Sequence, residues 1–284
     1  MKRDINEELL KLYIEWLGQA EIKKWINDKG DRRIKEWLKN NGYKEDYYLS
    51  EPFFVGIPEY TDKNKPLIMV VGQETDLFGD VKKIVDEKGN INTKNLKKSQ
   101  DWTIKAVSIL NGSKEEKWND YDNNLQTVKL RSKPFFNFLK ELAKCYNICW
   151  NNLDKIHYTA ILEEPMHSED AKIIDEFNKE THKTVTLYYE DEKIIGDKYF
   201  EDKSLLQKEI EIIEPDYILF VTGPNYKKSM DTQIGKIFDK TPNSNTVVVT
   251  AKANQYFWTY HPQYLQRKEW CEKVLKELQE KLKF

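Results

Sequence analysis

Pro66-Leu-Ile-Met-Val-Val71, closed by Gly72, is the stretch that decides the fold. A short, unbroken apolar run ending at a glycine marks a strand buried on both faces, as in a parallel sheet. Similar candidates follow at Cys145 to Trp150, at Asp216-Tyr-Ile-Leu-Phe-Val221 before Thr222-Gly223, and at Thr246-Val-Val-Val-Thr250. Phe257 to Tyr260 is a short fifth. Helical patterns separate them at about 132–144, 204–214, 226–238 and 263–283. Strands alternating with helices predict an α/β protein: a three-layer α/β/α sandwich on a mainly parallel central sheet of four or five strands, plus N-terminal helices. Such sheets bind ligands beyond the carboxyl ends of their strands, so the residues just after each strand are the ones that matter.

Upstream, Ile5, Leu9, Leu10, Tyr13, Ile14 and Leu17 repeat at helical spacing, and Ile34, Trp37 and Leu38 repeat it before a glycine stop at Gly42. Residues 1–65 therefore read as a helical extension packed on the core, and 66–284 as the α/β domain. Two stretches interrupt that domain. Residues 79–131 are polar and rich in Lys and Asn, with turn signals at Gly89-Asn90 and Asn111-Gly112. Residues 163–203 suggest a short helix (171–179) and a hairpin (184–200).

The 284 residues include 8 Trp, 16 Tyr and 12 Phe, enough large apolar side chains to exclude a disordered chain. Lys and Arg number 46 against 48 Asp and Glu, a formal charge of −2. That balance excludes a protein that coats nucleic acid by bulk charge, so any such contact needs a locally basic face. Three cysteines, Cys145, Cys149 and Cys271, have no framework or metal-site spacing and read as free thiols. Neither a metal nor a cofactor is expected. No apolar run is long enough to span a membrane, and MKRDINEELL is not a signal peptide, which together predict a cytoplasmic protein. A monomer is expected.

After the strands come Gly72-Gln73-Glu74-Thr75, Asn151-Asn152-Leu153-Asp154-Lys155, Thr222-Gly223-Pro224-Asn225 and Tyr260-His261-Pro262-Gln263-Tyr264-Leu265-Gln266-Arg267. One sheet edge thus collects a glycine turn with a carboxylate, an Asn amide, a second glycine turn and a histidine. This order resembles the uracil-DNA glycosylase superfamily. Gly72-Gln-Glu-Thr75 is similar to that family's first motif. Asn152-Leu-Asp-Lys-Ile156 is similar to its middle strand end, and Ile210 to Gly223 to its helix–Pro–strand–Gly element. Thr259 to Arg267 resembles its His-Pro loop, with a leucine four residues after the histidine. Lys133-Pro-Phe-Phe-Asn-Phe-Leu139 resembles the segment that supplies an aromatic base stack. The sequence departs from the family at Thr75, where proline is usual, and at Glu74, where Asp, Asn or Ala is usual. It also lacks the four cysteines of the iron–sulfur branch.

The resemblance implies a monofunctional DNA glycosylase that flips out a base, excises it and leaves an abasic site. His261 would donate to the departing base, and Glu74 would orient or activate water. Asn152 would read the base edge, with Asn151 as the competing register. Phe135 would stack on the base, with Phe78 a second stacking candidate and Gln73 a further hydrogen-bonding group. Leu265 would wedge the gap in the duplex, and Arg267, Lys268, Lys227 and Lys228 would contact phosphates. The partner would be DNA, double-stranded with a flipped base or single-stranded. The departures leave the base open between a uracil-type lesion and a hypermodified phage base. The alternative is a non-catalytic DNA-binding or sensing module of the same fold. A metal nuclease is excluded because no Glu-x-Lys follows Glu214-Pro-Asp216. A phosphate-binding loop is excluded because the Gly-to-Lys spacing at Gly223 to Lys228 is wrong.

Overall fold

The computed structural model describes residues 3–27, 47–58, 61–74, 80–130, 134–155, 158–160, 203–252, 255–262 and 268–282. In chain order these form α1 (Ile5–Gly18), α2 (Ala20–Asn27), β1 (Tyr47–Leu49), β2 (Leu67–Glu74), α3 (Thr93–Leu110), β3 (Lys117–Asn119) and β4 (Leu125–Thr127). Then come α4 (Pro134–Leu142), β5 (Asn147–Asp154), β6 (Tyr158–Ala160), α5 (Leu205–Ile213), β7 (Tyr217–Phe220), α6 (Lys227–Ile234), β8 (Val249–Ala251), β9 (Tyr256–Trp258) and α7 (Lys268–Leu282). The expected helix repeat at Ile34 to Gly42 and the elements expected within 163–203 lie outside the described residues, apart from Lys203.

Five strands make the central sheet in the order β5-β2-β7-β9-β8. The first four run parallel, and β8 closes the far edge antiparallel to β9, with Val249 opposite Trp258. The fold is therefore α/β on a mostly parallel sheet. Ile218, Leu219 and Phe220 of β7 and Ile68 to Val71 of β2 are buried apolar side chains, as strands covered on both faces require, and Tyr217 at the start of β7 is half-buried.

β2 runs on past Val71 to Glu74 and β8 spans Val249–Ala251 in place of the expected Thr246–Thr250, and two further differences from the sequence expectation bear on the site. The interrupting stretch 79–131 holds an 18-residue helix, α3, capped by the Asn92 side chain accepting from Asn95 N at 3.1 Å. Its buried face includes Ser99, Gln100 and Thr103, so its periodicity in hydrophobic residues alone is faint. The second difference is that β5 continues through Asn151 and Asn152 to Asp154 instead of ending at Trp150. The outer edge of β5 is partly satisfied by the Asn111 amide. It accepts from Ile148 N at 2.7 Å and donates to Ile148 O at 3.0 Å, as a neighbouring strand would.

Helix α1 joins the sheet's own core. Leu9, Leu10, Tyr13, Trp16 and Leu17 belong to one buried cluster with Ile68, Val70, Ile148 and Ile218. Helix α5 starts with a reciprocal Ser204–Gln207 capping box and stops at Glu214, in a left-handed conformation before Pro215. These two ends fix the point at which β7 enters the sheet.

Candidate functional site

Strand alternation sends Cys149 and Asn151 to one face of β5, and Trp150 and Asn152 to the other. The two faces meet different partners. On the first, Asn151 Nδ2 donates to Glu209 Oε2 at 2.9 Å, and Tyr13 OH donates to Glu209 Oε1 at 2.6 Å. Lys155 Nζ pairs with the same Oε1 at 2.8 Å and also donates to Asn151 Oδ1. Asn151 Oδ1 further accepts from Asn152 N at 2.7 Å, and Tyr13 OH accepts from Val55 N at 2.9 Å. Lys155 and Glu209 are 4% and 0% exposed as side chains, so this is a buried ion pair with a hydrogen-bonded shell. Burial pulls the Lys155 pKa down, opposed by attraction to Glu209. Burial, and then the Glu209 charge, push the Tyr13 hydroxyl well up, which keeps it a donor.

On the other face the surroundings are aromatic. Trp150 Nε1 donates to Asn152 Oδ1 at 3.1 Å. Gly72 sits directly opposite Asn152 in the parallel register. A Cβ on Gly72 would lie 2.7 Å from Asn152 Oδ1 and 3.5 Å from the Phe135 ring, so only glycine leaves room for that amide. Phe135, in the first turn of α4, packs on Trp150 with centroids 5.5 Å apart. Its ring also lies nearly parallel to His261, at 11° with centroids 6.2 Å apart. Positions 72, 135, 152 and 261 thus converge at the carboxyl ends of β2 and β5 and just past β9.

The loops that carry His261 are held by an extended backbone ladder. Val221 N bonds Val71 O at 2.9 Å, Thr259 N bonds Phe220 O at 2.9 Å, and Gly223 N bonds Thr259 O at 3.1 Å. Gly223 has φ of +75°, a conformation that side chains resist, and its open side faces His261 N, 3.8 Å from an ideal Cβ. The Gln73 amide crosses to the same loop and donates to Thr222 O at 2.7 Å, so part of its capacity ties β2 to β7's exit. Thr222 Oγ1 in turn accepts from Trp258 Nε1 at 3.2 Å.

Of the remaining expected site residues, Glu74 ends β2 opposite Asp154, and Lys268 begins α7; their side chains are outside the described structure. Phe78, Leu265 and Arg267 also lie outside it. Lys227 and Lys228 open α6, just after the Gly223 turn, and Lys227 Nζ pairs with Asp231 at 2.7 Å. Among the described residues no group of His, Cys, Asp and Glu could hold a metal ion. Cys145 and Cys149 are free thiols, and no described helix is long and apolar enough to cross a membrane. Comparison with protein-family models, curated proteins and solved structures finds no match.

Sequence reasoning missed three features. It gave no role to Trp150, taken only as the end of a strand. It did not foresee the Lys155–Glu209 pair, whose only signal was a lysine just past a strand. Nor did it notice Glu51, which is 1% exposed and whose Oε1 has no hydrogen-bond partner among the described residues. Burial pushes the Glu51 carboxyl up to about 7; nearby Ser99, Tyr121 and Lys83 pull it down, and Asp80 pushes it up.

Proposed function

We propose that this chain is a monofunctional DNA glycosylase of the uracil-DNA glycosylase type. The observation that carries the reading is the convergence of Gly72, Phe135, Asn152 and His261, from four separate stretches, at the sheet edge where α/β ligands bind. Breaking an N-glycosidic bond leaves positive charge on the sugar and negative charge on the base. The groups needed are a donor to the base, a polar group that places water, an edge reader and an aromatic platform. In this reading His261 is the donor, Glu74 the water-placing carboxylate, Asn152 the reader and Phe135 the platform. Phe78 adds a second platform and Gln73 a further contact. Leu265 is the wedge, and Lys227, Lys228, Arg267 and Lys268 meet phosphates.

Crowding by Trp150 and Phe135 around Asn152 favours a compact planar base of the uracil type over a bulky modified one. The partner is DNA, and the near-neutral chain implies modest, salt-sensitive affinity.

The test is direct. Purified protein is incubated with duplex and single-stranded DNA carrying uracil, hypoxanthine or 5-substituted cytosines, and with modified phage DNA; alkali then cuts abasic sites. Breaks at uracil are expected, and their loss by about 100-fold or more in Glu74→Ala and in His261→Ala. Breaks only in modified phage DNA would replace the compact-base reading. No breaks on any substrate, with DNA binding retained, would favour the non-catalytic module.

A further inference from the structure

We propose that Asn111 is a self-modifying site. Its side-chain amide closes the outer edge of the central sheet, and when that closure opens, Gly112 converts the amide to a carboxylate that cannot close it again. Nothing in this depends on the glycosylase reading.

The sheet edge asks for a two-sided partner. Among the described strands β5 is the outermost, with β2 on its inner side. On its outer side Ile148 N donates to Asn111 Oδ1 at 2.7 Å, and Ile148 O accepts from Asn111 Nδ2 at 3.0 Å. An amide carries an acceptor and a donor together, as the backbone of a neighbouring strand does. A carboxylate of the same size only accepts. Aspartate at this position would keep the bond from Ile148 N but set an oxygen against Ile148 O. Ile148 is 0% exposed, so its carbonyl would be left buried without a donor, which is costly. The bond from Asn111 Nδ2 to Val107 O, at 2.7 Å, would be lost as well.

The next residue makes the conversion chemically accessible. Gly112 has φ of +108°, and no atom lies within 4 Å of where its Cβ would stand, so the turn is open there and strains any other residue. A glycine nitrogen, with no side chain beside it, is the least shielded backbone nucleophile. Gly112 N loses its proton and attacks Asn111 Cγ. The new C–N bond closes a cyclic imide, the bond from Cγ to Nδ2 breaks, and ammonia leaves. Water then opens the imide at either carbonyl, giving aspartate or its β-linked isomer, with no change of oxidation state. In the closed arrangement both reactants are engaged: the amide in its three hydrogen bonds, and Gly112 N in donating to Ile109 O at 3.2 Å. Conversion therefore runs through molecules in which Asn111 has left Ile148, and its rate reports how often the sheet edge opens.

The test ages wild-type protein at mildly alkaline pH, folded or in denaturing urea, and follows the Asn111 peptide by the mass gained when NH2 becomes OH. The chain's other Asn-Gly pair, Asn41-Gly42, calibrates the chemistry in urea. Folded protein should convert at Asn111 about 100-fold more slowly than unfolded chain, the combined worth of three such hydrogen bonds. Equal rates would show that the amide is not held, and would overturn the proposal. The folded rate should also be nearly constant across low, non-denaturing urea, because local opening exposes little surface. A rate that climbs with urea as steeply as global unfolding does would mean that the edge never opens by itself, and overturns it equally. The product is tested with Asn111→Asp. Hydrogen exchange at Ile148 N should quicken about tenfold or more over wild type, as the donor side of the closure is gone. Unchanged exchange there would show that a carboxylate closes the edge as well as the amide, which contradicts the proposal. Should Asn111→Asp not fold, the same exchange is read in aged wild-type protein, on the converted fraction.

Discussion

Asn151 and Asn152 are adjacent in the chain, yet they serve opposite faces of one sheet. Asn151, 0% exposed, is enclosed by Glu209, Lys155 and the region of Tyr13, a tie between the first helix, the end of β5 and α5. Asn152 faces Gly72 and the Trp150–Phe135 aromatic group, at the end where His261 arrives. A charged network built of groups from distant stretches pins the strand end, and an amide one residue on is thereby presented to the site. The same type of side chain has a scaffold role on one face, at Asn151, and the proposed recognition role on the other, at Asn152. Substitutions on the two faces should therefore separate stability from binding.

The largest effect is expected on the scaffold face. Lys155→Met leaves the Glu209 carboxylate buried without its cation, a change that costs about 3–5 kcal/mol in comparable buried pairs. Urea unfolding should show this as a lower midpoint at unchanged slope. The double variant Lys155→Met/Glu209→Leu should recover part of the loss. Recovery stays incomplete because Tyr13 OH and Asn151 Nδ2 then lose their acceptor. A stability loss under 1 kcal/mol in the single variant, on the same scale, would show that the pair is not what pins the strand end.

Glu51 sharpens the contrast from another side: it is a second fully buried carboxyl, and unlike Glu209 it has no hydrogen-bond partner for its Oε1 among the described residues. Its folded pKa is raised from 4.5 to about 7, so between these values the folded state holds a proton that the unfolded state has released. Stability from this group is therefore fully present below pH 4.5 and falls as pH rises to about 7, by about 3 kcal/mol in all, and then levels. Glu51→Gln should flatten that part of the stability–pH curve. An equal slope in the variant would assign it to other groups.

On the recognition face, Gly72→Ala places a methyl 2.7 Å from Asn152 Oδ1 and must displace the amide or Phe135. Overpacking of this kind costs about 1–3 kcal/mol in stability. DNA-substrate binding or turnover should fall by more than that stability loss explains, because the displaced group is the proposed reader. If activity is retained in folded Gly72→Ala protein, Asn152 is not the reader.

The legibility of this molecule in its sequence follows the same division. β2 and β7 could be read because their buried side chains are all apolar, which is what Leu67 to Val71 and Tyr217 to Phe220 display. The polar continuation of β5 could not, because Asn151 and Asn152 look like loop residues unless their partners are known. Beside the local Lys155 and Trp150, those partners include Glu209 and Gly72, which no local pattern connects to position 151 or 152. Helix α3 was hidden for a related reason: Gln100 occupies its buried face and donates to Asn6 O at 3.1 Å and Val55 O at 3.2 Å, so a polar letter stands where packing is tight. Glu209 reads as one more solvated helix charge, although it is 0% exposed. The sheet edge that gathers the candidate site was legible because it depends only on where strands end. Which of two neighbouring asparagines faces it was not, because a one-residue change in register exchanges the faces.

The smallest stability effect is expected furthest from both asparagines, at Lys227 in the first turn of α6. Its pair with Asp231 is partly exposed and spans one helical turn, so Lys227→Ala should cost under about 1 kcal/mol in unfolding. Its effect on DNA binding should be of another kind. If Lys227 exchanges Asp231 for a phosphate when DNA binds, the slope of log affinity against log salt should fall by about one, uniformly across base sequences. An unchanged slope would place the phosphate contacts elsewhere and leave the pair with Asp231 as the only role of Lys227. A slope change that depended on the target base would be inconsistent with a backbone contact. It would move Lys227 to the recognition side of the division that Asn151 and Asn152 define.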